Sequence, residues 1–332
     1  MRCINKKIGR RGIAVLISIC LYAGCLSGCG KAASFMPYDM DGSNSSFLIG
    51  SGNKADKEET FASKLCISNE NFNVSAVDMS KAEAAGLFSL SDTEVIYSKN
   101  VHEPLYPASI TKVMTALVAI KNGRQDDVLT ASNNVTDLEA GAQNIGLKPG
   151  DSMTLDQALR IMLMYSATDV AIMVAERYGG SVEGFSEMMN AEARRIGATE
   201  CYFANPNGLN NEEQLVTAYD LYLIMREASK YSLFREIISM NSYQTVYYDK
   251  NGKEKTFDKS ATNGYINGNR TAPAGVYVIG GKTGTLTSAG HCLILLVSDT
   301  GGNEYVSVIL KAETGDDLYS QMNDLLSLIV NS

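Results

Sequence analysis

Pro107-Ala108-Ser109-Ile110-Thr111-Lys112-Val113-Met114-Thr115-Ala116-Leu117 places a serine and a lysine three residues apart at the head of an apolar run. If the stretch is helical, Ser109 and Lys112 share a face about one turn apart, and the ammonium can reach the hydroxyl. A serine hydroxyl is a poor nucleophile until a base takes its proton. An amine can serve as that base only where burial or a second cation lowers its pKa. The same spacing occurs on solvated helix faces, so the pair acquires meaning only from the rest of the chain. The helix is expected to run to about Ile120 and to stop at Lys121-Asn122-Gly123, where a basic residue and a glycine mark a helix end.

Before this stretch, Ala84 to Leu90 and Glu94 to Ser98, separated by Ser91-Asp92-Thr93, predict a hairpin of strands. After it, residues 124–230 read as mostly helical. Thr154 precedes Gln157 by three, a capping box, and Leu155, Ala158, Leu159 and Met162 continue with a helical period. That helix breaks at Tyr165-Ser166-Ala167-Thr168, and Asp169 is expected to open the next, which ends at Gly179-Gly180. An amphipathic helix carries Phe185, Met188, Met189, Ala193 and Ile196 and stops at Gly197; Thr217 with Asp220 opens another, to about Lys230. The methionines read as core filler. Beyond residue 240 come short β-like segments, Tyr243 to Tyr248, Gly275 to Ile279, Cys292 to Val297 and Tyr305 to Leu310, and then an apolar helix, Leu318 to Val330. The order implies an α/β (α+β) fold, one sheet assembled from both ends of the sequence with an inserted helical subdomain.

The 332 residues are 45% hydrophobic and 20% charged, ordinary globular usage with length enough for a large core. Arg2, Lys6, Lys7, Arg10 and Arg11 precede an apolar segment from Ile13 to Leu26 that is short for a membrane span and reads as a secretory signal. It ends in Leu26-Ser27-Gly28-Cys29, which resembles the lipobox of bacterial lipoproteins. By that resemblance residues 1–28 are a signal peptide and Cys29 carries the acyl chains. The open alternative is an uncleaved helical anchor, and both readings hold the protein extracytoplasmically at the membrane. Residues 30–63 are rich in Ser, Gly, Asn, Lys and Asp and read as a spacer to a catalytic domain at 64–332.

Losing residues 1–28 takes five basic and no acidic side chains away, moving the net charge from −8 to −13. An acidic protein of this kind is no partner for nucleic acid, which needs a basic surface. Cys66, Cys201 and Cys292 remain beyond the leader and Cys29, an odd number at wide spacing; one pair at most can form, and buried free thiols are expected.

Two further elements explain the opening stretch. Ser166-x-Thr168 falls where a buried helix breaks, and Gly280-Gly281-Lys282-Thr283-Gly284-Thr285 lies beside a predicted strand. Ser109-x-x-Lys112, Ser166-x-Thr168 and Lys282-Thr283-Gly284, in this order, resemble the penicillin-binding enzymes, and most closely the serine D-alanyl-D-alanine carboxypeptidases. The similarity extends through Tyr106 to Lys112, Gly146 to Asp151, Asn205 to Leu209 and Ser288 to Cys292, and covers roughly Met79 to Leu310. It implies the β-lactamase/penicillin-binding-protein-like fold, an antiparallel sheet flanked by helices.

The resemblance also implies roles. Ser109 would attack the carbonyl between the terminal D-alanines of a peptidoglycan pentapeptide stem with Lys112 as base, giving an acyl-enzyme that water hydrolyses. Ser166 would pass a proton to the leaving amine. Lys282 would attract the terminal carboxylate and disfavour protonation of Lys112, and Thr283 would hydrogen-bond the same carboxylate. Backbone N–H groups of Ser109 and Thr285 would hold the oxyanion, while Gly281 and Gly284 would let substrate lie along the strand edge. β-Lactam antibiotics would be inhibitors, and no cofactor or metal is implied. The chain would lack the extra β-domain and C-terminal anchor of many relatives, with the N-terminal lipid in the anchor's place.

Two positions depart from the family pattern. Thr168 stands where the family has asparagine, exchanging two donors and an acceptor for one hydroxyl on a shorter arm. Thr285 replaces a bulkier residue and resembles the transpeptidase and β-lactamase versions. Other chemistries find less support. His102 and His291 are the only histidines and form no H-x-x-x-H pair for zinc, and no G-x-S-x-G elbow is present. A β-lactamase of the same fold needs a second base, for which Glu212 and Glu213 are wrongly set. A wall-binding or β-lactam-sensing lipoprotein with turnover weakened at Thr168 is the alternative from another class.

Overall fold

The structure, a computed structural model, describes residues 65–331; the signal peptide, Cys29 and the spacer lie outside the described residues. The chain begins with the hairpin β1 (Ala82–Ser89) and β2 (Val95–Lys99) and a 3₁₀ turn (Ala108–Thr111) leading into α1 (Lys112–Asn122). There follow β3 (Val128–Thr130), β4 (Ser152–Thr154), α2 (Leu155–Arg160), a π-helical turn (Ile161–Tyr165), α3 (Thr168–Gly179), α4 (Val182–Ile196), α5 (Ala218–Ala228) and α6 (Ser232–Ile238). The last third carries β5 (Ser242–Tyr248), β6 (Glu254–Ser260), β7 (Val276–Leu286), β8 (Gly290–Asp299), β9 (Glu304–Ala312) and α7 (Gly315–Asn331).

β1, β2, β7, β8 and β9 form one antiparallel sheet in the order β2-β1-β9-β8-β7. Both ends of the sequence thus meet in one sheet, as most of their β-like segments predict, although the Tyr243 to Tyr248 segment lies in a different sheet. β8 reads as an unbroken apolar run because both its faces are covered, and successive side chains point to opposite sides. Leu293, Leu295 and Val297 face Leu318, Met322, Leu325 and Ile329 of α7. Ile294 and Leu296 join the larger core, with α1 and α5 among its elements. α1 runs through that core, with every residue from Lys112 to Ala119 buried, so apart from Lys112 and Thr115 the run is apolar all round.

Four expectations are corrected. There are two sheets rather than one: β3 and β4, within the region 124–230 read as mostly helical, pair with β5 and β6 in a second, four-stranded antiparallel sheet. Three-residue strands are too short to show a period, and β6 buries only Phe257, so its sequence lacks an apolar stripe. The α-helix starts at Lys112 rather than Ser109, which sits in the 3₁₀ turn. In a 3₁₀ turn side chains at i and i+3 eclipse, so the serine and lysine are brought closer than an α-helical face would bring them. α3 starts at Thr168 with Ala167 as its cap, and Asp169 does not open it. The Asp169 carboxylate instead accepts backbone N–H bonds from Ile145 (3.1 Å) and Leu147 (2.9 Å), and from Val170, tying the preceding loop to α3. Lastly, β7 is eleven residues long and includes the whole Gly-Gly-Lys-Thr-Gly-Thr segment.

The Thr154 capping box forms as read: Gln157 N–H donates to Thr154 Oγ1 (3.3 Å) while Gln157 Oε1 accepts from the Thr154 N–H (2.9 Å). The Gln157 amide also donates to Thr245 Oγ1 (2.7 Å), so the cap doubles as a tie to β5. Cys66, Cys201 and Cys292 are all free thiols, Cys201 only partly buried.

Candidate active site

Ser109 is presented on a strained turn. Ala108 has φ +48°, a left-handed conformation that costs an alanine roughly 1–2 kcal/mol. The neighbouring backbones hold the turn in place. A Cβ on Gly208 would lie 1.9 Å from the Ala108 carbonyl oxygen, and one on Gly284 would lie 2.9 Å from that of Pro107. Only glycine admits both approaches. The glycines in β7 also have a packing reason: Gly284 makes room for the turn bearing Ser109, and a Cβ on Gly281 would lie 2.1 Å from the Ile294 carbonyl oxygen of β8. The turn is further braced through Thr111, whose hydroxyl donates to Ala108 O (2.8 Å) and accepts from the Gln214 amide (3.2 Å).

The ammonium carbon chain of Lys112 is fully buried, and its Nζ lies 2.9 Å from Ser109 Oγ and 2.5 Å from the carbonyl oxygen of Asn207. Burial holds the amine well below its ordinary pKa, and the positive charge of Lys282 lowers it further; Asp169 opposes the shift weakly. A neutral amine has two N–H donors and one lone pair. Donation to Asn207 O leaves the lone pair free for the proton of Ser109. Asn207 is held by its loop: Asn205 Oδ1 accepts from the N–H groups of Asn207 (3.3 Å) and Gly208 (2.8 Å).

Ser166 terminates the π-helical turn in a left-handed conformation, φ +72°, which reverses the chain and points its hydroxyl inward. Lys282 Nζ donates to Ser166 Oγ at 2.9 Å and to Thr283 O at 2.8 Å. Lys282 is 1% exposed, and burial pushes its pKa down to about 7. Two lysines and two serines thus form two pairs, Lys112 against Ser109 and Lys282 against Ser166, contributed by the 3₁₀ turn and the start of α1, the end of the π-helical turn, and β7.

Ser109, Ser166, Thr168, Thr283, Gly284 and Thr285 line a single cleft of about 460 Å³. Thr168 is 2% exposed, and its N–H donates to Gln143 O (2.7 Å). Thr283 Oγ1 lies 2.8 Å from Thr262 Oγ1. Thr285 is exposed, with Oγ1 3.4 Å from Nδ1 of His291 on β8. The sequence alone assigns no site role to Gln143, Thr262, His291 or the Asn207 carbonyl. Asn207 and His291 fall in family-like stretches, which was a signal without a role, whereas nothing local marks Gln143 or Thr262. Among the residues lining the cleft there is no carboxylate; Glu212 and Glu213 are exposed and do not line it.

Comparison with known proteins gives a consistent result. The family described as D-alanyl-D-alanine carboxypeptidase (Peptidase_S11) matches residues 68–314. DacF of Bacillus subtilis is 30% identical over 253 residues, which cover 74% of this chain and 61% of that protein. DacC of Escherichia coli is 28% identical over 256 residues, 74% of this chain and 60% of that protein. This chain therefore spans about six-tenths of the length of these curated relatives. Among solved structures, the Streptomyces K15 DD-transpeptidase superposes with a TM-score of 0.70 at 25% identity, covering 76% of this chain and 98% of that one. A D-alanyl-D-alanine carboxypeptidase from Mycobacterium tuberculosis H37Rv superposes with a TM-score of 0.67 at 25% identity, covering 77% and 93%.

Proposed function

This chain belongs to the D-alanyl-D-alanine carboxypeptidase family, and we propose that it removes the terminal D-alanine from peptidoglycan pentapeptide stems through an acyl-enzyme on Ser109. Lys112 takes the Ser109 proton as Oγ attacks the carbonyl between the two D-alanines. Ser166 returns a proton to the leaving amine, with Lys282 behind it. Backbone N–H groups of Ser109 and Thr285 stabilise the oxyanion, and the substrate's terminal carboxylate is bound by Lys282 and Thr283. Water then hydrolyses the ester. The observation that carries this reading is the Lys112 amine: buried, beside a second lysine, and 2.9 Å from a hydroxyl it can deprotonate. A surface Ser-x-x-Lys could bring amine and hydroxyl together but would lack the burial that lowers the amine's pKa.

β-Lactams mimic the terminal D-alanyl-D-alanine, so penicillin is proposed as an inhibitor that occupies the same cleft. The basic leader, short apolar segment and Leu26-Ser27-Gly28-Cys29 support an extracytoplasmic lipoprotein tethered through Cys29. Among the described residues no helix is long and apolar enough to cross a membrane.

The test is incubation of the purified protein with fluorescent penicillin and with diacetyl-L-lysyl-D-alanyl-D-alanine, beside a Ser109→Ala control. Covalent labelling and D-alanine release, both absent in the control, are expected. Labelling without release would point to a β-lactam sensor, and rapid loss of the label to a β-lactamase. Radioactive palmitate incorporation lost in Cys29→Ala tests the tether.

A further inference from the structure

We infer that Thr262, in the segment joining β6 to β7, is a positioning residue that presents the Thr283 hydroxyl proton to the anionic end of the substrate. The inference rests on the proposed carboxypeptidase reading and extends it to a residue outside the three motifs.

Thr262 and Thr283 come from different elements, yet their hydroxyl oxygens are 2.8 Å apart, and both line the cleft with Ser109 and Ser166. Thr262 does not reach this point loosely. Its N–H donates to Met164 O at 3.1 Å, in the π-helical turn that carries Ser166, and its Oγ1 lies 3.4 Å from the same carbonyl. The segment behind it is fixed as well. Gly264 N–H donates to Tyr319 Oη at 2.8 Å, Asn267 donates to Ala261 O at 2.9 Å, and a Cβ on Gly264 would lie 2.7 Å from Arg270 Cγ. Thr262 is therefore held between the turn bearing Ser166 and the strand bearing Lys282 and Thr283.

Each hydroxyl has one proton, so the pair has two arrangements. In one, Thr283 donates to Thr262 and Thr262 donates to Met164 O across a long 3.4 Å contact. In the other, Thr262 donates to Thr283, and the Thr283 proton is free to point into the cleft. An anion in the cleft selects the second, because it accepts that proton. The Thr262 donation then polarises Thr283 and strengthens its bond to the anion, since hydrogen bonds in series reinforce one another. No covalent bond changes; two protons reorient. With valine at 262, Thr283 keeps its proton but loses the donor behind it and the fixed rotamer.

The experiment is a double-mutant cycle on the purified full chain, read as the second-order rate of acylation by penicillin G and as kcat and KM for diacetyl-L-lysyl-D-alanyl-D-alanine. Thr262→Val is expected to lower both second-order constants by up to about tenfold, mostly through KM for the peptide, the effect of losing one hydrogen bond between neutral groups. Thr262→Ser should restore most of the loss. In a Thr283→Val background, Thr262→Val should change either constant by less than about twofold, because the residue it acts through is gone. Wild-type rates in Thr262→Val, no rescue by serine, or an equal loss in the Thr283→Val background would each overturn the inference while leaving the proposed function standing. A wild type that neither takes up penicillin nor releases D-alanine would overturn both.

Discussion

Lys112 Nζ lies 2.9 Å from Ser109 Oγ, at the end of a fully buried side chain. The relationship sets an amine beside a hydroxyl it can deprotonate, because burial deprives the ammonium of water and leaves its neutral form favoured. It also gives the pair a pH dependence.

Acylation should rise with pH as Lys112 loses its proton, with a midpoint well below the 10.5 of an exposed lysine. Lys112→Ala should lower penicillin acylation about 10²–10⁴-fold, the usual contribution of a general base. Lys112→Arg should do no better, since a guanidinium cannot give up its proton. Stopped-flow acylation across pH 6 to 10 checks all three; arginine activity close to wild type would exclude Lys112 as base.

Lys282 should leave a signature in stability. Its pKa is about 7 in the folded protein against 10.5 for the ordinary group. Between these values the unfolded chain binds more protons than the folded one, so stability rises with pH across this window. Lys282→Met should flatten that slope and leave the share due to Lys112. Urea unfolding at intervals from pH 7 to 10 measures it, and an unchanged slope would mean that Lys282 is not desolvated as described.

Ser166 separates chemistry from strain. Its φ of +72° penalises any side chain with a Cβ, so Ser166→Gly should be more stable than Ser166→Ala by about 0.5–1 kcal/mol. Both remove the hydroxyl that Lys282 contacts, and both should lose D-alanine release by about 10²-fold or more. Melting curves beside turnover assays distinguish the two effects. Full turnover in either variant would remove Ser166 from the proton route.

Thr168 is the position to improve. Its short hydroxyl lines the cleft beside Ser109 and Ser166, and an asparagine would extend two donors and an acceptor into the same space. Thr168→Asn should raise kcat for the diacetylated tripeptide several-fold, with acylation by penicillin changing in the same direction. A lower kcat would show that threonine is matched to this cleft.

Much of this was readable in one dimension. Ser109, Lys112, Ser166, Lys282 and Thr283 could be named because their residue types carry chemistry and their order follows a family pattern. The central strands β8 and β9 and helix α7 were visible because deep burial writes an apolar period into the chain. β3, β4 and β6 were not, since strands that short or that exposed need little apolar sequence and are defined by their partners. The same holds for Asp169: its type suggests a helix cap, while its actual partners, Ile145 and Leu147, are brought to it by the fold.

The sequence alone determined which groups could react: a serine, two lysines and a second serine, with glycines nearby. Their states it left open. That Lys112 is neutral enough to act depends on burial and on Lys282, 170 positions away in number but adjacent in space. That Ser109 is presented, half-buried, on a strained turn depends on Gly208 and Gly284 closing on it from two other segments. That Thr283 has Thr262 behind it depends on how the segment after β6 packs against the π-helical turn. Desolvation, charge proximity and hydroxyl alignment act through distances of a few ångströms, and only the folded chain sets those distances.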